Sequence, residues 1–277
     1  MPCLERCSNY GLELILVFFG IFMSIGFVIT YIIAVQESHV TAFLPYISDT
    51  GGKVPESCVF TFVCGVGTIF MLVVLCLRYR HLHHYYHRSM PEMHCLNMTS
   101  LIAGLISAVG LLTVGSFQND NVHTMHFIGA FMAFGSGIIY FWLQSVITVR
   151  LWRSRMTPYV GPCMVLTRVF MAGFSTLMLV TTIVTGMYAI NEHHKQHNAA
   201  GTFFWEAGDG GYAFHVISTG TEWLLALSFV FFFLTFHPDF TRIQLDCSVR
   251  LKYDHHTDVI HRPSIISTDD ETTPLTI

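Results

Sequence analysis

Charge is scarce in this chain. Asp, Glu, Lys and Arg make up 12% of the 277 residues while 52% are hydrophobic, whereas a soluble domain carries about 25% charged residues. The shortage argues against a water-soluble fold. The net charge of −4 with histidines neutral leaves neither a basic nucleic-acid surface nor a strongly acidic binding face, so no nucleic-acid partner is expected. Enzyme signatures are also missing: there is no Gly-x-Ser-x-Gly, no His-Glu-x-x-His and no phosphate-binding glycine loop. The sequence therefore implies no cofactor, no metal centre and no catalytic residue. The cysteines do not form the framework of a small secreted domain, because Cys64 and Cys76 fall inside an apolar block and most others lie near basic segments. No intramolecular disulfide is expected, and Cys3 and Cys7 are open to two readings, palmitoylation sites or plain thiols.

What the chain does have is apolar residues gathered into blocks of roughly 20 to 27, enough to cross about 30 Å of hydrocarbon as helix. Six blocks predict an all-α polytopic membrane protein with spans at about 11–35, 58–77, 98–117, 126–149, 164–190 and 213–236. The first lacks a short apolar core followed by a cleavage site, and reads as a retained span. Of the 14 Lys and Arg, only Lys53 and Lys195 fall on one side. The rest, including Arg78, Arg80, Arg150, Arg153, Arg155, Arg168 and Arg242, sort to the other, and the positive-inside rule places both termini in the cytoplasm. Residues 1–245 then form one membrane domain, and 246–277, polar and carrying Asp269-Asp270-Glu271, a disordered cytoplasmic tail. The Asn97-Met98-Thr99 triplet lies on the cytoplasmic side, where glycosylation is not expected.

Within the spans, small residues recur at four-residue spacing: Ser100, Gly104 and Ala108 in the third, Gly129, Ala133 and Gly137 in the fourth. Such stripes let helix backbones approach closely in lipid, and the short connection predicts an antiparallel hairpin with the two stripes facing. The run His81, His83, His84 and His87 contains no Cys, Asp or Glu to complete a tetrahedral metal set. It reads as an interfacial segment able to touch anionic headgroups. On the opposite side the sequence gathers Glu37, His39, Asp49, Glu56, Gln118, His123, His126, Asp209 and His215. Glu222 is the one acidic residue well inside a span, roughly 14 Å below its lumenal end and on the same helix face as His215. Two readings stand for it: a functional intramembrane acid, or a structural group hydrogen-bonded to a neighbouring helix with His215 as a pH-responsive group above.

The first long loop reads His39-Val40, then Phe43-Leu44-Pro45-Tyr46-Ile47-Ser48-Asp49-Thr50-Gly51, then Pro55-Glu56-Ser57. Further on come Arg78-Tyr79-Arg80, Phe117-Gln118, His126 with Gly129-Ala130, and Gln144-Ser145. Near the end stand Trp205, Gly211-Tyr212, His215, Glu222-Trp223, Phe233 to Phe236 and Asp239-Phe240. This pattern, from about residue 10 to 245, resembles the DRAM (damage-regulated autophagy modulator) family within the wider Frag/DRAM/Sfk group. The resemblance implies a six-span, non-enzymatic lysosomal or late-endosomal protein that promotes autophagy, with Pro45, Tyr46, Asp49, Gly51, Glu56, Gln118, His126, His215, Glu222 and Trp223 as the residues to follow. Two other functions stay open, an ion channel or transporter and a plasma-membrane scaffold for phosphoinositide synthesis, the latter by likeness to Sfk-type relatives. Membrane lipids, anionic headgroups among them, and unidentified proteins are the expected partners. The loop itself is expected to be stiffened by Pro45 and Pro55, turned by Gly51-Gly52 and capped by Asp49.

Overall fold

A computed structural model describes residues 11–86, 92–155, 157–197 and 205–243. Cys3, Cys7, His87 and the tail 246–277 lie outside them. Six helices are long and apolar enough to cross a membrane: α1 Leu12–Gln36, α2 Glu56–His84, α3 Met93–Ser116, α4 His123–Ser154, α5 Pro162–Lys195 and α6 Tyr212–Phe240. No strand occurs among the described residues. Helix α6 runs regularly to Leu234 and ends in a separate turn, His237–Phe240, with Pro238 at its start, where a missing N–H costs nothing. Most helices outrun the apolar blocks of the sequence, α2 by seven residues past Leu77. A helix that satisfies its own backbone groups has no reason to stop where hydrocarbon does.

Each helix packs on its neighbours in sequence and α1 closes on α6, giving an up-and-down ring. One end of the ring carries the loop between α1 and α2; the other carries most of the arginines. Between them lies an aromatic core in which Phe141 stacks on Phe232 at 3.8 Å and Tyr140 on Phe233 at 6.0 Å. Helix α5 is the flank: only 17% of its apolar window is buried, against 28–44% in the other five. Leu166, Phe170, Val184 and Met187 face outward, as a lipid-facing surface requires.

Hydrocarbon side chains gain little by leaving lipid for protein, so close backbone approach carries the association. The α3–α4 hairpin forms, but its register differs from the expected stripe-on-stripe pairing. Gly129 and Ala133 face α3 opposite Ser107, Gly110 and Thr113: Ser107 Oγ donates to Ala133 O at 2.6 Å, and a Cβ on Gly110 would run into the backbone of Gly129, Met132 and Ala133. Gly104 meets Leu75 of α2 and Tyr140 of α4, Gly137 meets Phe229 of α6 and Ser107 of α3, and Ser100 accepts a hydrogen bond from Gln144 Nε2 of α4 at 2.8 Å. Ala108 is fully buried. The short connection between Ser116 and His123 sets this pairing, which is already in place at Gly129, before the π-helical turn Phe131–Ser136 of α4.

Gly110→Leu should therefore destabilise the bundle by about 1–3 kcal/mol or more. Gly173→Leu, at a site where an added Cβ meets nothing within 4 Å, should leave it unchanged. Thermal unfolding of both variants in detergent checks this; equal midpoints would refute the packing register.

Candidate functional site

The loop between α1 and α2 is folded down onto α6 by three consecutive residues. Pro45 O accepts from the Trp223 indole at 2.9 Å, Tyr46 OH donates to Ser218 Oγ at 2.8 Å, and Ile47 N donates to Glu222 Oε2 at 2.8 Å. Ser218 in turn donates to Thr182 O, which carries the contact to α5. Thr50 bonds Ile47 O at 2.7 Å and meets Thr30 of α1 at 3.2 Å. Glu222 thus serves a loop amide, and not the neighbouring helix anticipated from sequence. Burial, with the Glu222 and Asp49 carboxyls nearby, pushes the Tyr46 phenol above its ordinary value, which keeps it a donor.

His215 is buried at 3% exposure, its ring edge-on to Tyr46 at 5.2 Å and stacked on Trp205 at 4.2 Å. The candidate pH-responsive His215 is therefore enclosed between Tyr46 and Trp205. His193 of α5 also meets Trp205, ring centroids 4.3 Å apart, so Trp205 is linked to the first loop through His215, which touches both Trp205 and Tyr46.

Behind this contact the loop continues through a short turn, Asp49–Gly51. Asp49 does not cap it. Its carboxylate accepts from Asn119 Nδ2 at 3.0 Å, and burial pushes its pKa up from 3.8 to about 7. Asp120, in the same α3–α4 connection, is also raised by burial. Gly51 and Gly52 adopt ordinary negative φ; they are needed for close approach, because a Cβ would enter the Phe60 ring in one case and come within 2.7 Å of Asp120 Oδ1 in the other. Glu56, fully buried at the start of α2, meets His39 Nδ1 at 2.6 Å. Gln118 accepts from Asn121 at 3.3 Å, and His126 Nδ1 contacts Phe117 O at 2.8 Å. Pro45, Tyr46, His215, Glu222 and Trp223 thus converge, while Asp49, Gly51, Glu56, Gln118 and His126 form a polar margin beside them.

Under the loop lies a cavity of about 100 Å³, lined by residues of every helix except α5 and by Ile47 and Ser48 of the loop. Its wall is nearly all hydrocarbon and sulfur, with Glu222, Ser48, His126 and Ser107 as the polar exceptions. Among the described residues no group of three or more His, Cys, Asp or Glu is placed to hold a metal. In the histidine run, His83 stacks on Tyr79 at 6.0 Å and His81 is buried beside Arg78. The Asn97 side chain is buried too, donating to Tyr79 O.

At the opposite end stands a cluster whose members are visible in the sequence but whose meeting is not. Asp239 is ion-paired to Arg78 at 2.9 Å and to Arg168, and all three are fully buried. Both guanidinium groups sit 4.8 Å from the centre of the Phe236 ring. Arg78 also donates to Gln144, and Arg168 to Thr148, Thr235 Oγ1 and Thr235 O; Tyr159 donates to Asp239 at 3.2 Å. Two signals could have found it: Arg168 lies inside an apolar block, and Asp239 stands just past the last span.

This architecture has relatives. Residues 11–243 match the family model described as the Frag1/DRAM/Sfk1/Cwh43P N-terminal domain. The chain belongs to that family. Among curated relatives, the Frag1/DRAM/Sfk1 chain described here is 31% identical over 241 residues to DNA damage-regulated autophagy modulator protein 2 of Homo sapiens, covering 83% of this chain and 85% of that one. It is 30% identical over 234 residues to DNA damage-regulated autophagy modulator protein 1 of Homo sapiens, covering 83% and 92%. A shorter match, 34% over 134 residues, covers 48% of this chain and 56% of the modulator of macroautophagy TMEM150B of Danio rerio. No solved structure matches.

Removing the shared anion should leave two buried cations unpaired: Asp239→Asn should cost about 3–5 kcal/mol, while Arg80→Gln, at an exposed site, should stay within about 0.5 kcal/mol. Detergent unfolding of the two variants compares them. Asp49 gives a pH prediction. Its folded-state pKa is raised, so the native state holds a proton that the unfolded chain has lost; stability should fall as pH rises from about 4 to about 7 and level off above. Asp49→Asn should flatten that part of the profile, and an unchanged slope would show that another group controls it.

Proposed function

We propose that this protein is a non-enzymatic regulator of autophagy in the membrane of lysosomes or late endosomes, with both termini in the cytoplasm and the Pro45–Gly51 loop in the lumen. The reading is carried by similarity along most of the chain to proteins named as autophagy modulators. The geometry supports it. Between the docked loop and the arginine cluster lies a closely packed aromatic core, which favours a protein that acts through its surfaces over one that conducts or turns over substrate. A loop carrying a buried aspartic acid that is neutral in acid suits an acidic lumen. At the other end Arg80, Arg150, Arg153, Arg155 and Arg242 are exposed, a distribution suited to anionic headgroups, at about 1 kcal/mol per basic residue near a charged leaflet, or to adaptor proteins.

The test is to deplete the protein in cultured cells and restore it with a tagged copy, measuring autophagic flux with and without an inhibitor of lysosomal acidification while imaging against lysosomal and surface markers. Depletion should lower flux, re-expression should restore it, and the tag should coincide with lysosomes. Unchanged flux would sink the autophagy reading. Exclusive surface staining would favour the plasma-membrane scaffold.

A further inference from the structure

Beside the docked loop, where α2 begins and α3 ends, lies a cleft of about 610 Å³, within the range of about 300–1,000 Å³ typical of small-ligand sites. Lys53 and Ser57 reach it from the end of the loop and the first turn of α2, Gln118, Asp120 and Asn121 from the α3–α4 connection. Two opposite charges stand in its wall and neither is spent. Among the described residues Lys53 and Asp120 take part in no ion pair, although Lys53 is close enough to act on the Asp120 carboxyl. Asp120 Oδ1 is enclosed against the bare backbone of Gly52 with no hydrogen-bond partner, so compensation for its charge has to come from the cleft side. Burial without that compensation raises the carboxyl, and a cation in the cleft would lower it again.

The lining residues include no aromatic ring. Such rings are what ordinarily hold a quaternary ammonium, so the cation that fits is a primary ammonium, whose three N–H donors suit a carboxylate and two side-chain amide oxygens. A purely anionic ligand would meet Asp120, and a purely cationic one Lys53; a ligand carrying both charges satisfies both. The cleft also has a membrane side. Cys58, exposed at its edge, begins a face of α2 on which Phe62 and Ile69, about one and three turns on, are each 63% exposed. Between them a Cβ added at Gly65 would meet nothing within 4 Å, which leaves a gap for a hydrocarbon chain.

We propose that the cleft binds phosphatidylethanolamine, its ammonium at Asp120, Gln118 and Asn121, its phosphate at Lys53 and Ser57, and an acyl chain over Gly65 between Phe62 and Ile69. The bilayer supplies this ligand laterally. Free glycerophosphoethanolamine shares the head and lacks the chain. The site is independent of the autophagy reading, since it rests on the cleft and on the lipid-facing surface of α2.

The full chain, reconstituted in phosphatidylcholine vesicles, is irradiated with two probes that carry the same diazirine-bearing acyl chain, one on phosphatidylethanolamine and one on phosphatidylcholine. Labelling of residues 58–69 of α2, measured relative to the lipid-facing positions Leu166 and Phe170 of α5, should be about tenfold higher with the ethanolamine head, the worth of one or two charge-assisted hydrogen bonds. Asp120→Asn and Lys53→Gln should each bring it down to the level of the choline probe. Lys195→Gln, an exposed lysine outside the cleft, should leave it unchanged. Equal labelling by the two probes overturns the site, and undiminished labelling in both cleft variants overturns the role of the two charges. Full displacement of the probe by free glycerophosphoethanolamine overturns the lipid as the occupant. The two probes on the unaltered protein decide the matter even if a variant does not fold.

Discussion

One carboxylate held between two guanidinium groups is what the arginine end of this bundle is built around. Asp239 sits where water is excluded, so its charge is tolerable only because Arg78 and Arg168 meet it. Those two arginines bring further requirements. Their remaining donors need acceptors, which Gln144, Thr148 and Thr235 supply, and Gln144 needs Ser100. The chain of obligations thus runs through α2, α3, α4, α5 and α6. In a medium where apolar contact gives little preference for one helix neighbour over another, this polar network gives the ring a definite order and register.

Helix α6 is the element on which both ends depend. At one end it presents Ser218, Glu222 and Trp223 to three successive loop residues; at the other it presents Thr235, Phe236 and Asp239 to the arginines. The loop end docks by hydrogen bonds, two to loop backbone groups and one between side chains. The arginine end uses charge. A polar margin and an aromatic stack surround the first; exposed cations surround the second.

Much of this was legible beforehand, for reasons that differ by element. Six helices follow from the length of the apolar blocks, since a bilayer forces every long apolar run into the same conformation. The Pro45–Gly51 block and Glu222 stood out separately, one as a dense family-like segment and the other as a charge out of place. Their meeting did not show, because Ile47 contributes a backbone amide and carries no mark in the sequence. The α3–α4 register did not show because the short connection, and not the spacing of small residues, decides which positions of the two helices lie opposite. Arg78 and Arg168 were hidden by a rule that counts cations by side and takes no account of depth. Asp239 stood out in the Asp239-Phe240 segment, but its pairing did not show, because the last span was ended at Phe236 and left it outside the bundle.

The in-order ring gives the chain a direction in time. Helices that touch their sequence neighbours can associate pairwise as they leave the translocation machinery, without waiting for distant segments. The exception is the last few residues of α6, for Arg78 and Arg168 are made first and their counter-charge arrives only with Asp239. Until then a nascent chain carries two arginines whose shared counter-charge has not been made. A chain ending before Asp239 would hold every long apolar stretch and still leave both arginines without that partner.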